Sequence, residues 1–121
     1  MQASPPSFPS SCLFCDIVAG KVGAEMLLQN DHVIAFRDIR PIAPAHALVI
    51  PREHMSGIGE VSPSQALTLG HLLLAARDVA GNLGLSSGYR VVINQGRDAG
   101  QSVFHLHCHV LGGRPMGWPP G

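Results

Sequence analysis

A row of three histidines at alternate positions constrains the fold of this chain more than any other feature. The row lies in the run Phe104-His105-Leu106-His107-Cys108-His109-Val110. Successive side chains of a β-strand point to opposite faces, so the three imidazoles would share one face and the apolar side chains the other. In a helix the same spacing would spread the histidines around most of the circumference. We therefore expect a strand over 104–110 whose apolar side chains, including Phe104, are buried.

The row also restricts the protonation of its imidazoles. Three adjacent imidazolium cations would repel one another, so some of these histidines are expected to be neutral near pH 7. A neutral imidazole is both a nucleophile and a metal ligand, and the residues alone leave both chemistries open. In the first, a histidine attacks phosphorus. In the second, two histidines at i and i+2 hold a zinc ion that activates water.

Length and charge exclude several classes of protein. A chain of 121 residues predicts one domain, here at 12–121. The eight basic and eight acidic residues balance and form no basic stripe, so no nucleic-acid partner is expected. The apolar stretches are too short for a membrane span, and no membrane association is expected. Residues 1–11 are rich in proline and serine and lack a secretory signal, which predicts a flexible N-terminal arm and a cytoplasmic location.

The three cysteines are Cys12, Cys15 and Cys108. An odd count in a reducing compartment implies no disulfide framework. The spacing of Cys12 and Cys15 is that of a redox pair or of half a zinc site. Two packed thiols without further function would show the same spacing, so the pair alone decides nothing.

The remaining pattern predicts an α+β domain. Ser62, Pro63 and Gln65 favour the start of a long helix, whose apolar stripe includes Leu73, and Gly84 favours its end. Short connections between the strands make the sheet mostly antiparallel. The short helix, the four other strands and the long helix are expected at residues 12–19, 25–29, 33–36, 45–50, 89–94 and 62–83.

The loop at 95–102 joins the fourth strand to the histidine row, so these two strands are expected to pair as a hairpin. Its glycines would allow backbone N–H groups to face an anion, and Ser102 adds a hydroxyl close to the row. These donors would favour attack of a histidine on phosphorus. An ordinary hairpin connection explains the same residues, and the loop by itself favours that interpretation.

The run from His105 to Val110 resembles the His-φ-His-φ-His-φ motif of the histidine-triad (HIT) superfamily. Cys108 stands where an aliphatic residue is more usual, and Arg37 lies beside a residue of the expected pocket. The tail at 111–121 resembles the Hint branch. The resemblance implies a five-stranded antiparallel sheet with one long helix and a short N-terminal helix, paired as a homodimer. Other segments resemble the family in the same order, at residues 12–17, 35–39, 41–51, 94–96 and 100–105.

The resemblance implies a purine nucleoside phosphoramidate hydrolase of the adenosine 5′-monophosphoramidase type. His107 would attack phosphorus to give a nucleotidyl-histidine, and water would then release an AMP- or GMP-type nucleotide. His109 would contact the phosphate, and Ser102 would help to protonate the departing amine. A backbone carbonyl, with His46 nearby, would fix the tautomer of His107. Two alternatives are a dinucleoside polyphosphate hydrolase of the Fhit-like branch and a non-catalytic nucleotide-binding module.

The resemblance also assigns binding roles to other side chains. Asp38 would bind the ribose hydroxyls, and Asn94 would lie near the ribose and phosphate. The backbone groups of Gln101 and Ser102 would help to hold the phosphate. Trp118 would reach the site of the partner subunit. The residues expected to line the base pocket are Phe36 and Ile39.

A structural zinc ion is the one cofactor that the resemblance implies, and catalysis would need none. Some HIT proteins hold such an ion with two cysteines and two histidines. The matching positions here are Cys12, Cys15, His54 and His105. Four such ligands would suit tetrahedral zinc, although other members of the branch lack the cysteines.

Overall fold

The computed structural model describes residues 12–121, and the predicted arm at 1–11 lies outside the described residues. Five strands form one antiparallel sheet in the order β1-β2-β3-β5-β4. The α+β class with one long and one short helix is therefore confirmed. The elements are α1 (Leu13–Val18), β1 (Met26–Gln29), β2 (Val33–Arg37), β3 (Ala45–Pro51), α2 (Ala66–Asn82), β4 (Tyr89–Val92) and β5 (Cys108–Gly112).

Strand β3 lies at the centre of the sheet and is buried along its whole length. In its antiparallel register with β5, Leu48 is opposite His109 and Val49 is opposite Cys108. Val49 and Cys108 belong to the core beneath α2, whereas Leu48 packs in a second core with α1. The sheet thus has a face toward α2 and a face toward α1, and His109 shares the α1 face with Leu48.

Helix α2 begins close to the predicted position. The N–H of Ser62 donates to Oε1 of Gln65 at 2.9 Å, and a 3₁₀ turn at Pro63–Gln65 precedes the α-helix. Gly84 ends the helix in the left-handed region at φ +73°. The predicted burial of Leu73 is wrong. Successive residues of an α-helix point in different directions, so Leu72 faces the core while Leu73 is turned away from it and is half exposed.

Strand β5 begins at Cys108, four residues later than expected, and β4 ends at Val92. The chain at 104–107 leaves β3 because Pro51, the last residue of β3, has no N–H with which a ladder could continue. The N–H of Leu106 donates instead to the carbonyl of Met55 at 2.6 Å. Phe104 is 61% exposed, so its expected burial is also wrong.

The length and hydropathy of the helices decide whether any of them could cross a membrane. Across residues 12–121, no helix is both long enough and apolar enough to cross a membrane.

Candidate active site

A cavity of about 650 Å³ opens on the α1 face of the sheet. Its walls come from α1, β2, β3, β5 and the segments that follow β2 and β4. Many of the side chains predicted for the site line it, namely Phe36, Asp38, Ile39, His46, Asn94, Ser102 and His109. The fold therefore brings together residues that are far apart in sequence, and both apolar and polar side chains line the cavity.

Sequence reasoning did not assign to the pocket the apolar side chains that α1 contributes. Leu13, Phe14 and Ile17 line the same cavity, and Phe14 packs edge-on against Phe36 with ring centroids 5.7 Å apart. Their helical spacing beside the cysteine pair was the available signal. It indicated an apolar helix face without showing which cavity this face would line.

His107 is held in one tautomer by the backbone of its own row. Its Nδ1 lies 2.7 Å from the carbonyl oxygen of His105. A carbonyl only accepts, so Nδ1 carries the proton and Nε2 of the neutral ring carries the lone pair. The ring is buried and packs edge-on against Phe14, with centroids 5.1 Å apart. The backbone carbonyl expected beside His107 is thus supplied by His105.

The side chain of His46 lies against that of His109. The N–H of Ile42 donates to Nδ1 of His46 at 3.2 Å, so His46 carries its proton on Nε2. This Nε2–H donates to Nδ1 of His109 at 2.9 Å. The remaining proton of a neutral His109 is therefore on Nε2, where it can be donated to a ligand in the cavity.

Burial keeps these rings neutral. It lowers the pKa of His109 to about 4, assisted by the neighbouring His107 and His46 and opposed by the Asp38 carboxylate. Burial also lowers the pKa of His46, again against the effect of Asp38. The neutral imidazoles expected from the row are therefore consistent with the surroundings of these side chains.

Asp38 stands at the end of β2 with its carboxylate at the cavity. Oδ1 accepts the N–H of Arg40 at 2.8 Å, and Oδ2 lies 3.4 Å from Nε2 of His46. The neighbouring Arg37 also lines the cavity, and its Nε donates to Glu25 at 2.7 Å. The side chain of Asp38 is therefore only partly exposed and lies next to the histidine pair.

Gln101 braces the loop that follows β4. Its side chain accepts from the N–H of Gly96 at 2.8 Å and donates to the carbonyl of Ser56 at 2.7 Å. Its backbone N–H donates to the Gly96 carbonyl at 3.1 Å, so that group closes the loop instead of pointing at a phosphate as expected. Gly96 and Gly100 both have φ near +84°, a conformation that favours glycine.

Four side chains converge between α1, the segment after β3 and the start of the histidine row. All four potential ligand atoms lie within 4.8 Å of one another. Sγ of Cys15 lies 3.1 Å from Nδ1 of His54 and 3.4 Å from Nδ1 of His105. Nε2 of His105 donates to the carbonyl of Pro51 at 2.9 Å, which leaves Nδ1 of His105 unprotonated toward the cysteines. The cluster consists of Cys12, Cys15, His54 and His105.

These positions fit zinc. Tetrahedral zinc bonds of ordinary length place nitrogen and sulfur ligands about 3.5 Å apart and two nitrogens about 3.3 Å apart. The two Nδ1 atoms of His54 and His105 are separated by 3.2 Å, and Sγ of Cys12 lies 3.5 Å from Nδ1 of His105. Within residues 12–121 no group of three or more potential metal ligands contains His107, and the second such group is Asp38, His46 and His109 at the cavity.

Trp118 is 83% exposed in the C-terminal tail and does not line the cavity of its own chain. The tail is tied to the sheet where Arg90 donates to the carbonyl of Gly117 at 2.8 Å. A role of Trp118 at the site of a partner subunit stays a prediction.

Comparison with known proteins agrees with this geometry. The HIT domain family matches residues 19–116. The chain belongs to the HIT family. An uncharacterised HIT-like protein of Synechocystis is 44% identical over 109 residues, which cover 90% of this chain and 96% of that protein.

Two solved structures extend the likeness to three dimensions. A HIT family hydrolase from Legionella pneumophila is 44% identical with a TM-score of 0.89, over 92% of this chain and 100% of the other. A histidine triad nucleotide-binding protein from Candida albicans is 32% identical with a TM-score of 0.78, over 90% of this chain and 83% of the other. This HIT protein is therefore similar along most of its length to a protein named a HIT family hydrolase.

The low pKa of His109 predicts a specific loss of stability in acid. An unfolded histidine titrates near pH 6.5, so between about pH 6.5 and 4 the unfolded chain binds more protons at this position. The free energy of unfolding should fall as the pH falls through this window. Urea unfolding at about pH 7 and about pH 5 measures this fall in the free energy of unfolding. The fall should be smaller in His109→Gln than in the wild type, because glutamine does not titrate. The groups facing His109 are Asp38, His46 and His107, and all three remain in both proteins. Equal losses would contradict a half-buried, neutral His109.

Proposed function

We propose that this HIT protein hydrolyses purine nucleoside phosphoramidates and releases a nucleoside monophosphate. The observation that carries the proposal is the bond from Nδ1 of His107 to the carbonyl of His105, at 2.7 Å. It leaves the lone pair on Nε2, as a nucleophile requires. The neighbouring His109 is a neutral donor in a cavity of about 650 Å³, a volume suited to a small ligand. The Candida relative is named a nucleotide-binding protein, which supports the same class of ligand.

In the first step, Nε2 of His107 would attack the phosphorus and form a P–N bond to the ring. The bond from phosphorus to the amine would break, and the amine would leave with its electron pair. We assign to the hydroxyl of Ser102, which is exposed at the cavity, the transfer of a proton from solvent to the departing amine. The histidine becomes positively charged in this step, and its Nδ1–H bond to the His105 carbonyl stabilises that charge.

In the second step, water would attack the nucleotidyl-histidine. The P–N bond to His107 would break and return the lone pair to Nε2, while the proton lost by water would return to solvent. In both steps the Nε2–H of His109 would donate to a phosphate oxygen, where negative charge develops. This donor follows from the tautomer that His46 imposes on the neutral His109 ring.

The rest of the nucleotide would occupy the cavity. Phe36 is buried and Ile39 is exposed at the rim, and together they would contact the two faces of a purine. The carboxylate of Asp38 would accept from the two ribose hydroxyls, and Asn94 would lie near the ribose and phosphate. Gln101 would act indirectly, since it holds the loop that carries Ser102.

Turnover of adenosine 5′-monophosphoramidate tests the proposal. We expect His107→Ala to lower kcat at least about a thousandfold while AMP still binds, because the variant removes the nucleophile and leaves the cavity walls intact. His32→Ala is the matched control. His32 is exposed and stacks on His71 with centroids 3.7 Å apart, outside the cavity. Turnover should be unchanged in this control.

Retained turnover in His107→Ala would exclude His107 as the nucleophile. A rapid quench of the wild-type reaction should also trap a nucleotide covalently attached to His107. Parallel assays with a dinucleoside polyphosphate decide between the two hydrolase classes. Faster cleavage of the polyphosphate would replace the phosphoramidate proposal, and AMP binding without cleavage of either substrate would favour a non-catalytic nucleotide-binding module.

We propose that the cysteine–histidine cluster holds a structural zinc ion. Cys12 and Cys15 would bind through sulfur, and His54 and His105 through Nδ1, the atoms that already converge. Four protein ligands leave no position for substrate, so the ion would join α1 to the segment after β3 without taking part in the reaction. Three reduced cysteines also suit the proposed cytoplasmic location.

Metal analysis tests this site. The purified protein should contain about one zinc per chain, and Cys15→Ser should lose most of it and unfold at a lower temperature. Cys108→Ala is the matched control, because Cys108 is equally buried but lies in the core beneath α2. This control should retain zinc. Full zinc content in Cys15→Ser would contradict the assignment.

We also propose that the protein is a homodimer. The outer face of α2 exposes Leu67, Leu73 and Leu74, and nothing approaches within 4 Å of the position of a Cβ on Gly70. The edge strand β4 adds the half-exposed side chain of Tyr89. A second copy would cover these apolar groups and bring its Trp118 toward the cavity.

Sedimentation velocity measures the oligomeric state. We expect a dimer at micromolar concentration, and Leu67→Glu should shift it toward monomer by placing a charge in the interface. Glu53→Gln, a change of an exposed residue outside α2, should leave the mass unchanged. A wild-type monomer would contradict the proposal.

A further inference from the structure

A separate cleft of about 660 Å³ lies at the end of the sheet, where α2 is connected to β4 and where the C-terminal tail begins. Its walls come from residues between 84 and 90 and from the tail at 113–116, and we name it the tail cleft. None of these residues lines the cavity of the candidate active site. The tail cleft is therefore a second space of similar volume that the proposed reaction does not use.

Two guanidinium groups make the tail cleft cationic. Arg90 and Arg114 both line it, whereas no aspartate or glutamate is among the described residues of its walls. Within residues 12–121 neither arginine forms an ion pair with a carboxylate. The cleft thus contains two positive charges that the protein itself does not neutralise, and such a concave surface attracts anions.

Backbone carbonyls hold both arginine side chains in place. Nη2 of Arg90 donates to the carbonyl of Gly117 at 2.8 Å, and Nη2 of Arg114 donates to the carbonyl of Ile42 at 3.0 Å. Nη1 of Arg114 donates to the carbonyl of Pro115 at 3.3 Å. A guanidinium has five N–H donors, so each group keeps donors for a ligand while its orientation is fixed. The planar fork of these donors matches the oxygens of a phosphate.

Apolar side chains form the rest of the wall. Leu85, Tyr89 and Met116 line the tail cleft beside the arginines. A Cβ on Gly112 would lie 2.7 Å from a methyl carbon of Leu85, so the glycine allows Leu85 to lie against β5 at this place. The half-exposed ring of Tyr89 offers an aromatic surface. A ligand that combines an anionic end with an apolar part would therefore satisfy both kinds of wall.

We propose that the tail cleft binds a small phosphoryl ligand, such as a phosphate monoester, whose remaining part is apolar or aromatic. The two negative charges of a phosphate dianion match the two guanidinium groups, whereas a carboxylate would leave one cation without a partner. The proposal does not depend on the proposed reaction, because the tail cleft and the first cavity share no lining residue.

The tail cleft overlaps little with the surface proposed for a second copy of the chain. That surface consists of Tyr89 and the exposed leucines of α2, and Tyr89 is its one residue in the cleft. Neither arginine belongs to it. A dimer formed through this surface would therefore leave the guanidinium groups to the ligand.

Binding of phenylphosphonate to the full chain tests the tail cleft. The probe carries an aromatic ring, and at about pH 8 its phosphoryl group has two negative charges. Backbone amide signals followed by NMR distinguish the two cavities, because Gly88 and Gly113 line only the tail cleft and Asn94 lines only the first cavity. We expect the signals of Gly88 and Gly113 to shift on titration. Arg90→Gln and Arg114→Gln should each weaken this binding about tenfold through the loss of one charged partner.

Arg77→Gln is the matched control, since Arg77 is an exposed arginine of α2 that pairs with Asp78 and does not line the cleft. Its affinity for the probe should equal that of the wild type. Benzoate, with one negative charge, should bind the tail cleft at least about tenfold more weakly than phenylphosphonate.

Three results would overturn the site. The first is a titration in which only signals of the first cavity shift, and the second is an equal affinity in Arg90→Gln, Arg114→Gln and Arg77→Gln. The third is binding that disappears at the protein concentrations where the dimer forms, which would assign the tail cleft to a second copy of the chain. The proposed phosphoramidase function would stand in each case, because it depends on the first cavity.

Discussion

The hydrogen bond from Nδ1 of His107 to the carbonyl of His105 is the interaction on which the site depends. It joins two residues of one row, so the position of His107 follows that of His105. The side chain of His105 is itself fixed between the Pro51 carbonyl and the cysteines at α1. One residue thus uses its side chain to hold the fold together and its backbone to orient the proposed nucleophile. The cysteine–histidine cluster is therefore connected to the proposed nucleophile through the backbone carbonyl of a single residue, His105.

The sequence was informative about the faces of the sheet and less so about the ends of the strands. Alternation placed the histidines on one face and Leu106, Cys108 and Val110 on the other, and the cores confirm this separation. The faces persist although the ladder with β3 begins only at Cys108. The early end of the ladder depends on Pro51, a residue in a distant strand, so alternation within the row could not reveal it. The exposure of Phe104 follows from the same cause.

The partner of His46 illustrates what sequence reasoning could not reach. In the register of β3 with β5, His46 is opposite Leu111 and Leu48 is opposite His109. His46 and His109 are therefore diagonal neighbours on one face, within reach of a direct hydrogen bond. A shift of register by two residues would have paired His46 with another member of the row. Register is set by the packing of the whole sheet, and in this case the resemblance indicated the residue but not its contact.

The hydrogen bonds of His46 give the cavity a fixed polarity. The Ile42 amide can only donate, so it determines the tautomer of His46, and His46 in turn determines that of His109. His46 cannot reverse its donor and acceptor atoms without losing the bond from the Ile42 amide, and His109 cannot do so without losing the bond from His46. The cavity therefore offers a hydrogen at His109 and cannot readily offer a lone pair there. The cavity therefore selects ligands by the direction of their hydrogen bonds as well as by their shape. An anionic oxygen can accept the hydrogen of His109, whereas a protonated amine cannot.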